Sequence, residues 1–101
     1  MKNKTCVVIP AFNEEKSISK VLDGLLQNGW RNIVVVNDGS RDKTSEIVKK
    51  YKDVHLVEHA INRGLGGALG TGLQAACKLG HDVIVTFDAD GQHDVRNLLS
   101  V

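Results

Sequence analysis

Two aspartates two positions apart, Asp88 and Asp90, follow the apolar run Val83 to Phe87, and Gln92 continues the same spacing. On an extended backbone these three side chains share a face. Two carboxylates ~5 Å apart at an effective dielectric of ~20 repel by roughly 3 kcal/mol, so the pair calls for a proton or a cation. Oxygen donors from two Asp and one Gln amide suit a hard ion, Mg²⁺ or Mn²⁺, with phosphates completing its shell. Gly91 permits the sharp backbone path such a site needs. A solvated Asp-x-Asp-Gly turn is the plain alternative, and the company of other acids argues against it.

Asp38 is the next of those acids. In Asp38-Gly39-Ser40 the glycine is a turn residue, and Ser40 or Asp42 is available as the N-cap of a following helix. Asp38 lies before the turn and is expected to point into the rim of the fold, where ribose hydroxyls or a base edge are read in nucleotide-binding α/β proteins. Asn62 and Arg63 precede a glycine-rich stretch and could meet a nucleotide or its diphosphate. That stretch, Gly64 to Gly72, is not a dinucleotide fingerprint: its spacing is wrong and it follows the third strand rather than the first. Four glycines within a helix, at roughly 1 kcal/mol each relative to Ala, imply that bulk is excluded there. Packing on the sheet is the expected cause at Gly70 and Gly72. Among the histidines, His55, His59 and His81 read as surface or rim-adjacent residues, and none has zinc-site spacing. His93 directly follows the acidic run and could orient a carboxylate or touch phosphate.

These residues need a scaffold that gathers them. Four short, β-branched-rich apolar runs (Cys6 to Ile9, Ile33 to Val36, Val54 to Val57 and Val83 to Phe87) have the pattern of strands buried on both faces. Between them, Ile18, Val21, Leu22, Leu25 and Leu26 repeat with helical spacing and stop at Gly29. Thr44, Ile47, Val48 and Tyr51 repeat it again. A third helix is expected from about Leu65 to Leu79, closed by Gly80 as a left-handed cap, and a fourth from about Asp94. Strands alternating with helices predict an α/β, Rossmann-like three-layer sandwich with a parallel sheet. In that fold the segments after each strand meet at one rim, where Glu14, Glu15, Asp38, Asp88 and Asp90 face Arg41 and Arg63.

Composition narrows the classes. The 101 residues carry 13 Lys+Arg and 12 Asp+Glu, a net charge of +1, which argues against bulk electrostatic binding of nucleic acid. Aromatic residues at 4% are too few for base-stacking platforms. The sequence holds no apolar run of membrane-spanning length and opens on no signal-peptide pattern. Cys6 and Cys77 both sit in apolar contexts, so both are expected as buried free thiols in a cytoplasmic setting. No Ser or Cys has the local context of an activated nucleophile.

Four segments in order, Val7-Val8-Ile9-Pro10-Ala11-Phe12-Asn13-Glu14-Glu15, Val35-Val36-Asn37-Asp38-Gly39-Ser40, Asn62-Arg63-Gly64 and Phe87-Asp88-Ala89-Asp90-Gly91-Gln92-His93, closely resemble family 2 glycosyltransferases. The match is best to the branch similar to dolichol-phosphate mannose synthases and other polyprenyl-phosphate glycosyltransferases. The resemblance implies the N-terminal, nucleotide-binding half of an A-type glycosyltransferase fold over residues 1–101. It implies that Pro10, Ala11, Phe12, Glu14, Asp38 and Arg63 line the nucleotide site, with Asp88 near the ribose or the metal. Asp90 and Gln92 would ligate Mg²⁺ or Mn²⁺. The reaction implied is inverting transfer of a hexose from a GDP- or UDP-sugar to a polyprenyl phosphate or another acceptor. That places a longer form at the cytoplasmic face of a membrane. Phe12 stands where the family often has Tyr, and Val95 where it often has Pro. The chain stops where the acceptor half is expected, so no general base is nominated, and a truncated chain or stand-alone half-domain would bind nucleotide without transfer. The fourth strand is then left with an exposed edge, and a homo-oligomer formed through it is expected. A nucleotidyltransferase of similar fold would carry a glycine- and basic-rich loop after the first strand; Ala11-Phe12-Asn13-Glu14-Glu15 stands there instead.

Overall fold

The computed structural model describes residues 5–90. The order of elements is β1 (Thr5–Ala11), α1 (Ile18–Gln27), β2 (Asn32–Asp38), α2 (Thr44–Lys49), β3 (Val54–His59), α3 (Gly64–Lys78) and β4 (Val83–Thr86). The fourth helix expected from Asp94, and Gly91, Gln92 and His93, lie outside the described residues.

All strand pairs are parallel, and the sheet runs β3-β2-β1-β4. Strand periodicity sorts the core into two halves. Val7, Ile9, Ala11, Ile33 and Val35 face α1 and α2, where they meet Ile18, Val21, Leu22, Leu25 and Val48. Cys6, Val8, Val34 and Val36 face the other way, onto Ala68 and Ala76 of α3. Both faces of β1 and β2 are therefore dry, which is why their sequences read as continuous rather than alternating apolar runs. The result is the three-layer α/β sandwich that the sequence pattern predicts.

Helix ends follow the local chemistry closely in two cases. Gly29 and Gly80 stand at φ +89° and +90°, one residue past the caps of α1 and α3, where a left-handed backbone ends the helix. The start of α2 differs from expectation. Its N-cap position is Lys43, and Asp42 instead accepts the Thr44 N–H at 2.9 Å from just outside the helix. The helix also ends before Tyr51, whose hydroxyl donates to Asp23 Oδ1 at 2.7 Å and so ties α2 to α1.

Two further expectations are corrected. Cys6 is buried, and burial pushes its thiol pKa up, but Cys77 is exposed. Helical rotation explains this, since neighbouring Ala76 takes the sheet-facing position. Packing accounts for Gly72 but not Gly70. A Cβ on Gly72 would stand 2.3 Å from Val8 Cγ1, whereas one on Gly70 meets nothing within 4 Å. Ala68, Gly72 and Ala76 form the small-residue stripe, four residues apart, that lets α3 lie close on the sheet.

Candidate functional site

The strand order fixes where a ligand belongs. The chain moves outward from β1 to β2 to β3, then returns to the far side of β1 for β4. The reversal lies between β1 and β4, and open α/β sheets bind ligands beyond the carboxyl ends of the strands at such a point. Here those ends carry Pro10 to Glu14 and Asp88 to Asp90.

The segment after β1 is stitched to the segment after β2. Asn13 sits at φ +54°, a left-handed conformation that Asn tolerates better than most residues. Its N–H donates to Ser40 Oγ at 2.8 Å, and its Oδ1 accepts the Arg41 N–H at 2.9 Å. The Glu14 N–H donates to Thr44 Oγ1 at 2.9 Å and the Glu15 N–H to Asp42 Oδ2 at 3.1 Å. Burial works to raise the Asp42 carboxyl pKa. The Thr44 hydroxyl and N–H, with the Glu15 N–H, outweigh it and hold the group below the usual aspartate value. Ser40, which the sequence offers as a helix cap, thus serves as a bridge between loops.

The acidic turn is held from behind. The Phe87 N–H donates to Val8 O at 3.0 Å, so pairing with β1 persists one residue past β4. Phe87 and Ala89 are buried in the core while Asp88 and Asp90 are exposed. Burial therefore alternates from Phe87 to Asp90 and leaves both acidic residues exposed at the strand end. Ser17 Oγ lies 2.7 Å from Ala89 O and 3.0 Å from Glu14 Oε2, so its hydroxyl hydrogen is shared between the turn and the start of α1. Two outward carboxylates with oxygen-only donors fit a hard divalent ion, which takes one or two carboxylates from protein and the rest from phosphate and water. Among the described residues no third His, Cys, Asp or Glu joins them.

Asp38 departs from the expected picture. It is 3% exposed and its carboxylate turns inward, toward the α3 face that Val34 and Val36 share with it. Oδ1 accepts the His59 Nδ1–H and the Arg63 N–H, each at 2.8 Å, and the Asp38 carbonyl accepts Asn62 Nδ2 at 3.1 Å. Burial works to raise this carboxyl too, but the Arg63 N–H, the His59 ring and the Gly64 N–H together hold its pKa below the ordinary value. Of the expected surface or rim-adjacent positions, His59 takes the rim, at the end of β3, and is buried there, 9% exposed. The register explains it: β3 runs two residues beyond its apolar run, and His59 pairs directly with Asp38. Parity with Val57 then aims the ring at α3.

Gly39 follows at φ +75°, and a Cβ there would lie 2.6 Å from Asn62 N. This close approach builds one wall of a cleft of about 400 Å³ lined by Phe12, Asn13, Gly39, Arg41, Ala60, Ile61 and Asn62. Phe12, half exposed, contributes its ring to the cleft. Pro10 and Ala11 lie within β1, opposite Val36 and Asn37, and the Ala11 methyl group points into the core, leaving its backbone for any ligand contact. Glu14 is half-buried and Arg63 exposed. Phe12 is thus brought to the cleft, Asp38 stands behind its wall, and Asp88 and Asp90 sit at the adjoining strand end.

Comparison with known proteins gives this arrangement a family. The model described as Glycosyl transferase family 2 matches residues 6–101. Uncharacterized protein MJ1222 of Methanocaldococcus jannaschii is 54% identical over 100 residues, 99% of this chain and 41% of that protein. The UDP-N-acetylglucosamine–dolichyl-phosphate N-acetylglucosaminyltransferase of Methanococcus voltae is 42% identical, over 94% of this chain and 44% of that protein. The chain therefore spans about two-fifths of the length of these curated relatives. Glucosyl-3-phosphoglycerate synthase from Mycobacterium tuberculosis, solved with Mn²⁺, UDP and glucosyl-3-phosphoglycerate, superposes with a TM-score of 0.71 at 26% identity, covering 85% of this chain and 33% of that one. The sheet and helices are those of the A-type glycosyltransferase fold. The chain therefore belongs to glycosyl transferase family 2.

Proposed function

We propose that residues 1–101 are the donor-binding part of an inverting glycosyltransferase that moves a hexose from a UDP- or GDP-sugar to a polyprenyl phosphate. The observation that carries this is the pair of outward carboxylates, Asp88 and Asp90, at the strand-order reversal beside the cleft. The nucleoside lies in the cleft between Phe12 and Asn62, bounded by the backbone of Pro10 and Ala11, with Glu14, Asp38 and Arg63 around it. Asp88, Asp90 and Gln92 hold Mg²⁺ or Mn²⁺. When bound, that ion offsets charge on the departing diphosphate as a Lewis acid. The dolichyl-phosphate relative supports the acceptor class, and the Mn²⁺–UDP complex supports the donor and the metal. No helix of the described residues is long and apolar enough to cross a membrane, and we place the acceptor at a cytoplasmic membrane face.

Calorimetric titration of UDP and GDP, with and without Mn²⁺ or Mg²⁺, tests this reading. Asp90→Asn weakens cation-dependent binding about tenfold or more, the scale of one charge-assisted contact of roughly 1.5–3 kcal/mol. Binding indifferent to the cation, or absent from the parent protein, overturns the assignment. A second reading is a nucleotide-binding module that transfers nothing alone. Radiolabelled-sugar transfer separates the two.

The outer edge of β4 is unpaired among the described residues, and Val83 on it is 54% exposed. Such an edge recruits further strands. Self-association through β4 is the expected result, and light scattering that reports a monomer at high concentration refutes it.

A further inference from the structure

We infer that His59 is a positioning residue of the nucleotide site, which with Thr71 behind it fixes the Asp38 carboxylate and the cleft wall built on it. The inference rests on the nucleotide reading above and adds a residue to it. A carboxylate only accepts hydrogen bonds, so the His59 nitrogen 2.8 Å from Asp38 Oδ1, Nδ1, carries a proton. The other nitrogen, Nε2, lies 2.8 Å from Thr71 Oγ1 on α3. In the neutral ring Nε2 accepts from that hydroxyl, and the tautomer is set from both sides. With both nitrogens committed and the side chain 6% exposed, the ring has nothing left to offer a ligand. It acts through what it holds.

What it holds is specific. The two short contacts from His59 and Arg63 converge on the same oxygen, Oδ1, which pins the rotation of the carboxylate and leaves Oδ2 as the oxygen outside that grip. The same contacts wrap residues 59–63 around the end of β2, and Ala60, Ile61 and Asn62 of that wrap line the cleft. The chain Thr71–His59–Asp38 therefore couples the underside of α3 to the cleft by three side chains.

The test uses parent protein, His59→Leu, His59→Asn, Thr71→Val and Thr71→Ser, with Tyr51→Phe as a destabilised control remote from the cleft. Thermal melts report stability, and UDP and GDP titrations are run well below each melting temperature. His59→Leu is expected to raise the Kd of folded protein about 10- to 100-fold, the scale of losing a hydrogen bond to a charged group. His59→Asn, whose amide N–H stands in for Nδ1–H, restores most of the affinity. Thr71→Val gives a smaller loss that Thr71→Ser reverses, and this pair carries the test if His59→Leu does not fold. Tyr51→Phe lowers the melting temperature without moving Kd. A folded His59→Leu or Thr71→Val that binds like the parent overturns the inference, as does a His59→Asn no better than His59→Leu. If the parent binds neither nucleotide, the inference falls with the function it serves. Ring ¹⁵N shifts showing a protonated Nδ1 and a bare Nε2 then identify the nucleotide reading, not the network, as the failure.

Discussion

Asp38→Ala is expected to lower stability by about 3 kcal/mol, because two donors lose a buried acceptor at an unsatisfied cost of roughly 1–3 kcal/mol each. Those donors are the His59 Nδ1–H and the Arg63 N–H. Asp38→Asn keeps an acceptor oxygen and should lose less. For a domain of this size the alanine change corresponds to a fall in Tm on the order of 15 °C, read by thermal or urea melts. The pH dependence has a fixed sign. Asp38 and Asp42 both have folded-state pKa values held below their ordinary ones, and so does Glu58, through the Ser45 hydroxyl first and then Asn37 and Lys49. The unfolded chain therefore binds more protons than the folded one in the acid range. Their stabilisation is complete above the ordinary carboxylate values, about pH 4, and is lost as pH falls through the lowered ones. Asp38→Asn should flatten part of that acid limb in urea melts taken from pH 6 to pH 2.

Three glycine-to-alanine changes should separate in sign as well as size. Gly39→Ala is expected to be the most damaging, near 3 kcal/mol, since a left-handed residue with a Cβ costs about 1–2 kcal/mol and overpacking adds about 1–3. Its neighbour is the Asn62 backbone nitrogen, which cannot swing aside as a side chain could. At Gly72 the backbone is ordinary and helix propensity favours Ala by about 1 kcal/mol. The new methyl group would still press on Val8 Cγ1 and on Val36 Cγ2, both on fully buried β-branched residues of the two inner strands. Overpacking wins there, and a net loss of about 1–2 kcal/mol is expected. Gly70 is exposed with open space around it, so Gly70→Ala should stabilise by about 1 kcal/mol. Urea denaturation of the three variants beside the parent reads all three values.

How far the sequence is legible depends on whether the cause is local. Strand and helix order and the helix stops at Gly29 and Gly80 follow from periodicity and backbone preference. Among the described residues, each is present within a residue or two of its expected place. His59 is different. Its burial depends on β3 outlasting its apolar run, and on register with Asp38 across a sheet neighbour 21 residues away. A chain read in windows sees only a polar residue after Val57. Cross-loop bonds such as Asn13 to Ser40 and Glu14 to Thr44 were hidden for the same reason, since each residue type had a sufficient local explanation. Gly70 and Gly72 look alike in sequence and differ only in which side of α3 meets the sheet. Asp38, expected to point into the rim, is instead buried with its Oδ1 held by His59 and Arg63.

The return of β4 to the far side of β1 has a consequence for how the molecule is assembled. β1, β2 and β3 pair with neighbours close in the chain, whereas Thr5 to Val8 must wait for Val83 to Thr86, from the other end of the described residues. Closing that longer loop carries the larger entropic cost, though the cost grows only slowly with length. During synthesis the three-stranded portion exists as a pairable unit before β4 has been made. The acidic turn is thereby the last part of the described sheet to be put in place. A chain that has folded only its first three strands has its cleft wall but not its carboxylate pair, so if Asp88 and Asp90 hold the proposed cation, its binding reports that β4 has docked on β1.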